Sequence, residues 1–292
     1  MDYGNDLRFG YFLTPDAGDA QEVVRQAQMC EQLGLDLLGV QDHPYQRRFL
    51  DTWTLLAYLA ARTERIRFFP DVINLPLRPP AVLAKAAASL DLLSGGRLEL
   101  GLGAGAFWEA IGAMGGPVRE PGEAVAALEE AIQVIRLMWS GQRGLRFAGQ
   151  HYQLNGAHSG PVPTRPIGLW IGAVGPKMLD LTGRLGDGWV PSSSYVPPAK
   201  LPDLQARIDD AAQAAGRAPS AIRRVYNVMG LITDGQTDGP LTGPVDQWID
   251  TLTRLSLETG MDTYIFSPAS DHVRQVERFA KEIVPEVKKI RD

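Results

Sequence analysis

Short apolar runs alternate along this chain with longer stretches in which apolar residues recur every three or four positions, the pattern of buried strands followed by amphipathic helices. The first pair is a strand over 8–13 and a helix that Asp19 can cap and Gly34 can stop. The same theme gives strands over 36–41, 66–74 and 98–103, with helices over 52–62, 79–93 and 123–139; Pro79 and Pro80 open the third of these helices. Further on, strands over 169–174, 189–190, 224–232 and 263–267 precede helices over 176–185, 201–215, 245–258 and 273–289. Alternating βα units make a parallel sheet, and units of this number and length favour a closed (β/α)8 TIM barrel over a doubly wound sheet. No Rossmann fingerprint opens the chain.

Three helix-to-strand joints are alike. Gly34, Gly186 and Gly260 each stand two or fewer residues before an aspartate (Asp36, Asp187, Asp262) and a strand, as a ring of similar units would produce. Two stretches break the theme. Residues 141–166 read as a short β-hairpin inserted in the barrel, with a proline-rich return, and not as a second domain. Residues 233–244 are rich in turn formers and are expected to form a mobile loop after the seventh strand. The expectation is one barrel domain over 1–292.

Composition narrows the class. With 29 basic and 34 acidic residues the formal charge is −5, which argues against nucleic acid as a partner. The single cysteine, Cys30, lies among apolar residues at helical spacing and reads as a buried small side chain. The chain starts with a polar segment and has no apolar run of membrane-spanning length, so a cytoplasmic protein is expected. There is no HExxH pair, no GxSxG elbow and no phosphate loop of the GxxxxGK[ST] type.

In a barrel the chemistry collects where the strands end. At the second strand these residues are Asp42 and His43, and at the third Asp71 within an apolar run. Past the fourth stand Gly103, Ala104, Gly105, Trp108 and Glu109, and past the fifth Gly172, Ala173, Val174 and Gly175. His43 is either a proton-exchanging group or a loop histidine packed under Tyr45. Glu109 is either a proton donor under aromatic cover or a solvated first-turn glutamate. The glycine clusters can present backbone N–H groups to a phosphate, the second with a helix start behind it. Small residues, aromatic walls and few nucleophiles fit a cofactor with rings and a phosphate.

Taken together, QLGLDLLGVQDH (41 lies at its third residue from the end), the block LAARTERIRFFPDVINLPLRPPAVLAKAAASLDLLSGGRLELGLGAG, and the later LWIGAVGP, GRLGDGWVP and GMDTYIFSP resemble the bacterial luciferase-like family, most of all its coenzyme F420-dependent branch. The resemblance implies a barrel that holds a tricyclic ring at its C-terminal mouth, over a bulge in the third strand that often contains a non-prolyl cis peptide. Here that bulge is Asp71-Val72. It implies further that Asp42 and His43 sit at the reacting edge, that Glu109 matches a proposed proton donor, and that Ala104, Gly105 and Gly172 to Gly175 cradle the cofactor phosphate. Hydride transfer to or from the deazaflavin C5 is the expected reaction, on a small organic substrate, in a homodimer. An FMN-dependent monooxygenase is the alternative, and a non-catalytic ligand-binding barrel a second. Pro191-Ser192-Ser193-Ser194 lacks the phosphate-binding lysine of the sugar-phosphate enzymes, which argues against glucose 6-phosphate as substrate. No metal is expected.

Overall fold

The computed structural model describes residues 3–289. The chain runs through β1 (Arg8–Leu13), β2 (Leu37–Val40), β3 (Arg67–Pro70), β4 (Ile73–Asn74), β5 (Leu100–Gly103), β6 (Leu145–Ala148) and β7 (Gln153–Ala157). It continues through β8 (Leu169–Ile171), β9 (Gly188–Trp189), β10 (Arg223–Ile232), β11 (Thr242–Gly243) and β12 (Thr263–Pro268). All but β6, β7 and β11 line up in the parallel order β3-β2-β1-β12-β10-β9-β8-β5-β4. Since β3 and β4 are halves of one stave, the two ends of this row belong together. Phe68 closes the ring: its N–H donates to the Arg97 carbonyl and its carbonyl accepts from the Glu99 N–H, both at 2.9 Å. The (β/α)8 barrel expected from the periodicity is present, and β6 and β7 form the antiparallel hairpin of the insertion.

Helices α1 (Ala20–Gln32), α2 (Thr52–Ala60), α3 (Pro80–Ser94), α4 (Trp108–Ala113) and α5 (Pro121–Met138) are followed by α6 (Pro176–Leu185), α7 (Leu201–Ala214) and α8 (Val245–Arg254). Their starts follow the caps written in the chain. Asp19 accepts from the Glu22 N–H, Asp51 from the Thr54 N–H, and Glu120 with Glu123 forms a capping box ahead of Pro121. Helix α3 ends on Gly95 and Gly96, both left-handed (φ 70° and 84°), a conformation that costs a residue with a Cβ more than glycine.

The structure departs from the pattern reading at several points. The strand read over 66–74 is interrupted at 71–72, and the one read over 169–174 ends at Ile171. Helix α8 passes into a π-helical turn at Leu255–Thr259. The closing helix is α9 (His272–Arg278), a π turn (Phe279–Ile283) and α10 (Val284–Lys288). The loop read over 233–244 contributes β11, which pairs in parallel with Leu231 and Ile232. Helix α4 was not expected, because six residues that include Gly112 carry too little periodicity to register.

Alternate residues of each stave face the barrel axis, so the interior is built in layers. The waist is apolar: Leu37, Phe69, Trp170, Val190, Val225 and Ile265 form one buried cluster, separate from the larger core between barrel and helices. Nearer the strand starts the interior is ionic. There Arg67 and Arg165 share Glu99 (2.6 and 2.9 Å) and Arg223 pairs with Asp262 (3.0 Å). Two residues nearer the strand ends it becomes small and polar, with Gly39, Asp71, Gly172, Ser192, Asn227 and Ser267. One end of the barrel is thus plugged by charge, and the other is lined by small and polar side chains.

The repeated glycine-to-aspartate joints have one physical purpose. Asp36 accepts from the Phe9 N–H (2.8 Å), Asp187 from the Leu169 N–H (3.1 Å) and Asp262 from the Arg224 N–H (3.0 Å). Each carboxylate thereby ties the start of its own strand to that of a neighbour and fixes their register. Gly34 and Gly260 are left-handed (φ 77° and 71°). Gly186 is not: its φ is −76°, and it is needed because a Cβ there would stand 2.9 Å from the Thr182 carbonyl oxygen.

Candidate functional site at the C-terminal mouth

The third stave carries the site's floor. Asp71 still donates its N–H to the Val40 carbonyl (2.7 Å), but the Asp71-Val72 peptide is cis and the chain bulges before β4 resumes. The Val72 side chain lies across three glycines of the next two staves. A Cβ on Gly103 would stand 2.8 Å from Val72 Cγ2, one on Gly172 3.0 Å from it, and one on Gly101 3.1 Å from Cγ1. These glycines exist to seat the bulge. That changes the reading of the cluster 172–175, since the Gly172 N–H donates to the Leu102 carbonyl (3.0 Å) and is not open to a phosphate.

Asp71 faces the axis beside Asn227. Its Oδ1 accepts from Asn227 Nδ2 (3.2 Å), which also donates to Ser192 Oγ (3.1 Å). Asp71 Oδ2, Asn227 Oδ1 and Asn74 Oδ1 are buried and have no hydrogen-bond partner. Burial pushes the Asp71 carboxyl up to about 7, with the Asn227 hydrogen bond pulling the other way.

Asp42 and His43 do different work. Asp42 is buried and accepts from Arg78 Nε and Nη2 (2.8 and 2.7 Å) and from the Asn74 N–H (3.0 Å). Arg78 also reaches Asp51 (2.6 Å), so Asp42 fastens the segment after the bulge to the start of α2. The reacting edge expected for Asp42 is therefore taken up by a salt bridge, and Arg78 is likewise an internal tie. His43, half-buried, shares a 2.7 Å hydrogen bond between its Nδ1 and the Tyr45 hydroxyl. Both rings contact Phe107, with centroids 5.5 and 5.8 Å away. Burial lowers the His43 pKa against the opposing pull of Asp42, and burial raises that of Tyr45, so both are neutral at neutral pH.

Glu109 lies in the first turn of α4, two residues past Phe107, and it is exposed. The aromatic cover expected over it is absent. Trp108 folds instead against Gly105, where a Cβ would stand 2.6 Å from its ring. Ala104 and Gly105 (φ 109°) are half-buried at the rim. Ala173 is buried, and its carbonyl accepts from the Trp189 indole N–H (2.9 Å). Val174 and Gly175 are exposed, and Gly175 caps α6, whose first turn carries Lys177. Asn227 and Ser267 were missed in the sequence, where Ser192 figured only in the substrate argument and Tyr45 only as cover for His43. A fully buried strand reads as an unbroken apolar run, and only the closed barrel shows which of its residues reach the mouth. A cleft of about 670 Å³ near the opposite end, lined by Arg136, Trp139, Arg165 and Asp187, has its guanidinium groups already paired.

The mouth has the features of a site for a flat ring with an anionic tail: a valine shelf, a floor of small and polar side chains, an aromatic edge with a neutral histidine, and an open helix N-terminus. Residues 7–238 match the model of the luciferase-like monooxygenase family, and the chain belongs to that family. It is 32% identical over 230 residues to an F420-dependent glucose-6-phosphate dehydrogenase of Gordonia bronchialis, covering 76% of this chain and 68% of the relative. Among solved structures it is similar to an F420-dependent secondary alcohol dehydrogenase in complex with an F420-acetone adduct (TM-score 0.86, 19% identity, 97% and 99% of the two chains). It is also similar to the oxygenating constituent of the 3,6-diketocamphane monooxygenase of Pseudomonas putida in complex with FMN (TM-score 0.78, 16% identity, 97% and 99%).

Proposed function

We propose that the protein is a coenzyme F420-dependent oxidoreductase acting on the carbinol or carbonyl carbon of a small, uncharged organic substrate. The observation that carries this reading is the His43–Tyr45–Phe107 cluster at the edge of a small, polar barrel floor. F420-dependent dehydrogenases among the relatives support the choice of cofactor. The residues present fit such a group. Val72, Asp71 and Asn227 would underlie the ring, with Ala104 and Ala173 beside it; Gly105, Val174, Gly175 and the start of α6 would meet its acidic portion. When bound, it supplies the hydride donor or acceptor.

The chain's own residues handle the proton. If the Tyr45 hydroxyl donates to His43 Nδ1, then Nε2 carries a hydrogen and can donate to a substrate oxygen; if Nδ1 donates, Nε2 accepts. This tautomer pair serves either direction, taking the hydroxyl proton as a carbinol is oxidised and returning it as a carbonyl is reduced. Glu109, exposed beside the cluster, is a second proton group, reached through water. Phe107, Tyr195 and Met229, all exposed at the rim, favour an apolar substrate body. The Pro191–Ser194 segment carries no cation for a sugar phosphate, which counts against glucose 6-phosphate.

The monooxygenase reading with FMN has the diketocamphane enzyme's fold in its favour. Titrating the purified protein with F420 and with FMN, and following quenching of the ligand fluorescence, separates the two. The expected outcome is saturable quenching of F420 alone, and selective tight binding of FMN would overturn the proposal. The same reading includes a homodimer formed through α2 and α3. Leu93 (85% exposed), Val82 (66%) and Tyr58 (44%) on these helices would supply the apolar part of such a contact.

A further inference from the structure

We propose that Asp71 and Asn227 form a proton-sharing acid–amide pair in the barrel floor, in which Asp71 Oδ2 carries a proton donated to Asn227 Oδ1 while Asn227 Nδ2 donates to Asp71 Oδ1. The geometry points to this because two buried acceptors, Asp71 Oδ2 and Asn227 Oδ1, have no partner, although the residues that bear them are already joined at 3.2 Å by Nδ2 and Oδ1. A carboxylate would leave both buried oxygens without a partner, an expensive arrangement. One proton satisfies both and completes a cyclic pair. Asn227 Nδ2 also donates to Ser192 Oγ (3.1 Å), which holds the amide beside Asp71.

Among the described residues, Asp71 is pushed up by burial and pulled down only by its hydrogen bond to Asn227, with no facing charge to keep it ionised. On β2 its neighbour is Gly39, whose Cβ would stand 3.0 Å from Oδ2, and on β3 it is Phe69. Gly103 and Gly172 face it from β5 and the end of β8, Ser192 and Ser193 from the segment after β9, and Ser267 from β12. The nearest titratable groups at the strand ends are Asp42 and Arg78, which pair with one another, and the neutral His43 and Tyr45. The arginines of the ionic layer lie beyond the apolar waist. Burial pushing Asp71 up to about 7 agrees with a proton retained through the acid range.

The consequence rests on the F420 reading. A ring that gains an electron pair gains negative charge, and a neutral floor does not repel it, whereas an ionised Asp71 would. Binding of the reduced cofactor should then draw one proton onto Asp71 wherever the free protein has lost it. The apparent Kd for reduced F420 should rise by up to about tenfold per pH unit above 7 in the wild type and should stay flat in Asp71→Asn.

The pair itself is tested on the cofactor-free protein by infrared spectroscopy in H2O and D2O. At pH 6 the wild type should show a protonated-carboxyl C=O band that shifts in D2O, is absent from Asp71→Asn, and fades as pH rises through about 7. Asn227→Ala should move that band to higher frequency, because the O–H loses its acceptor. If Asp71→Asn removes no protonated-carboxyl band at pH 6, the proposal is overturned; if Asn227→Ala leaves the band in place, the pairing with Asn227 is overturned. Neither result depends on which cofactor binds, so a failed F420 titration and a failed acid–amide pair are distinguishable.

Discussion

At the scale of single residues, burial decides what each polar group at the mouth can do. Asp71 keeps a folded-state pKa of about 7, against 3.8 for an unperturbed aspartate. A raised pKa means that the proton binds more tightly in the folded state. The stability this contributes is complete below about pH 4 and is lost as pH rises through about 7. Asp71→Asn removes that dependence. Relative to the variant, the wild type should lose up to about 4 kcal/mol between pH 4 and pH 8.5, three pKa units at about 1.4 kcal/mol each. Urea denaturation at the two pH values measures it, and an unchanged difference would refute the assignment. His43 is shifted the other way, so its neutral form persists below the usual histidine range. His43→Ala should lower kcat by roughly 10²- to 10⁴-fold with little change in F420 affinity. A loss under tenfold would remove His43 from the proton step.

At the scale of elements, the third stave and its glycines show how local sequence and packing divide the work. A Cβ on Gly101 would stand 2.1 Å from the Pro70 carbonyl oxygen, a backbone atom that cannot move without carrying the bulge with it. Gly101→Ala should cost about 3 kcal/mol and lower Tm by roughly 6–12 °C. Gly122→Ala, in the first turn of α5 with nothing within 4 Å of its Cβ, should leave Tm unchanged or raise it. Equal effects from the two would mean that the bulge is not packed as described. The elements were readable wherever the signal is local: Asp19, Asp51, Pro80 and Gly95 mark helix ends through hydrogen bonds and φ preferences within a few residues. The interruption of 66–74, the π turns of the last helices and the short α4 were not. Each answers to a neighbour distant in sequence or is too short for a period to show.

At the scale of the whole molecule, the layered interior separates an ionic end from one lined by small and polar side chains, and α2 and α3 expose Tyr58, Val82 and Leu93. Leu93→Glu places a charge at the C-terminal end of α3, at the most exposed apolar residue of the α2–α3 face. It should halve the apparent mass in size-exclusion chromatography with light scattering while leaving the monomer's Tm within a few degrees. A wild-type protein that runs as a monomer would sink the dimer.

The sequence by itself determined the order of strands and helices, the barrel, the caps that start and stop its helices, and the family, because these depend on periodicity and on residues close in the chain. It also carried His43 and the bulge at Asp71-Val72 to the mouth. Only the tertiary structure decided that Asp42 is tied to Arg78, that Gly172 makes room for Val72, that Glu109 stands in water, and that Asn227 meets Asp71 across 156 residues of chain. Those outcomes turn on which side chains the closed barrel brings within hydrogen-bond reach and how much water it excludes, and neither is set by any window of the sequence.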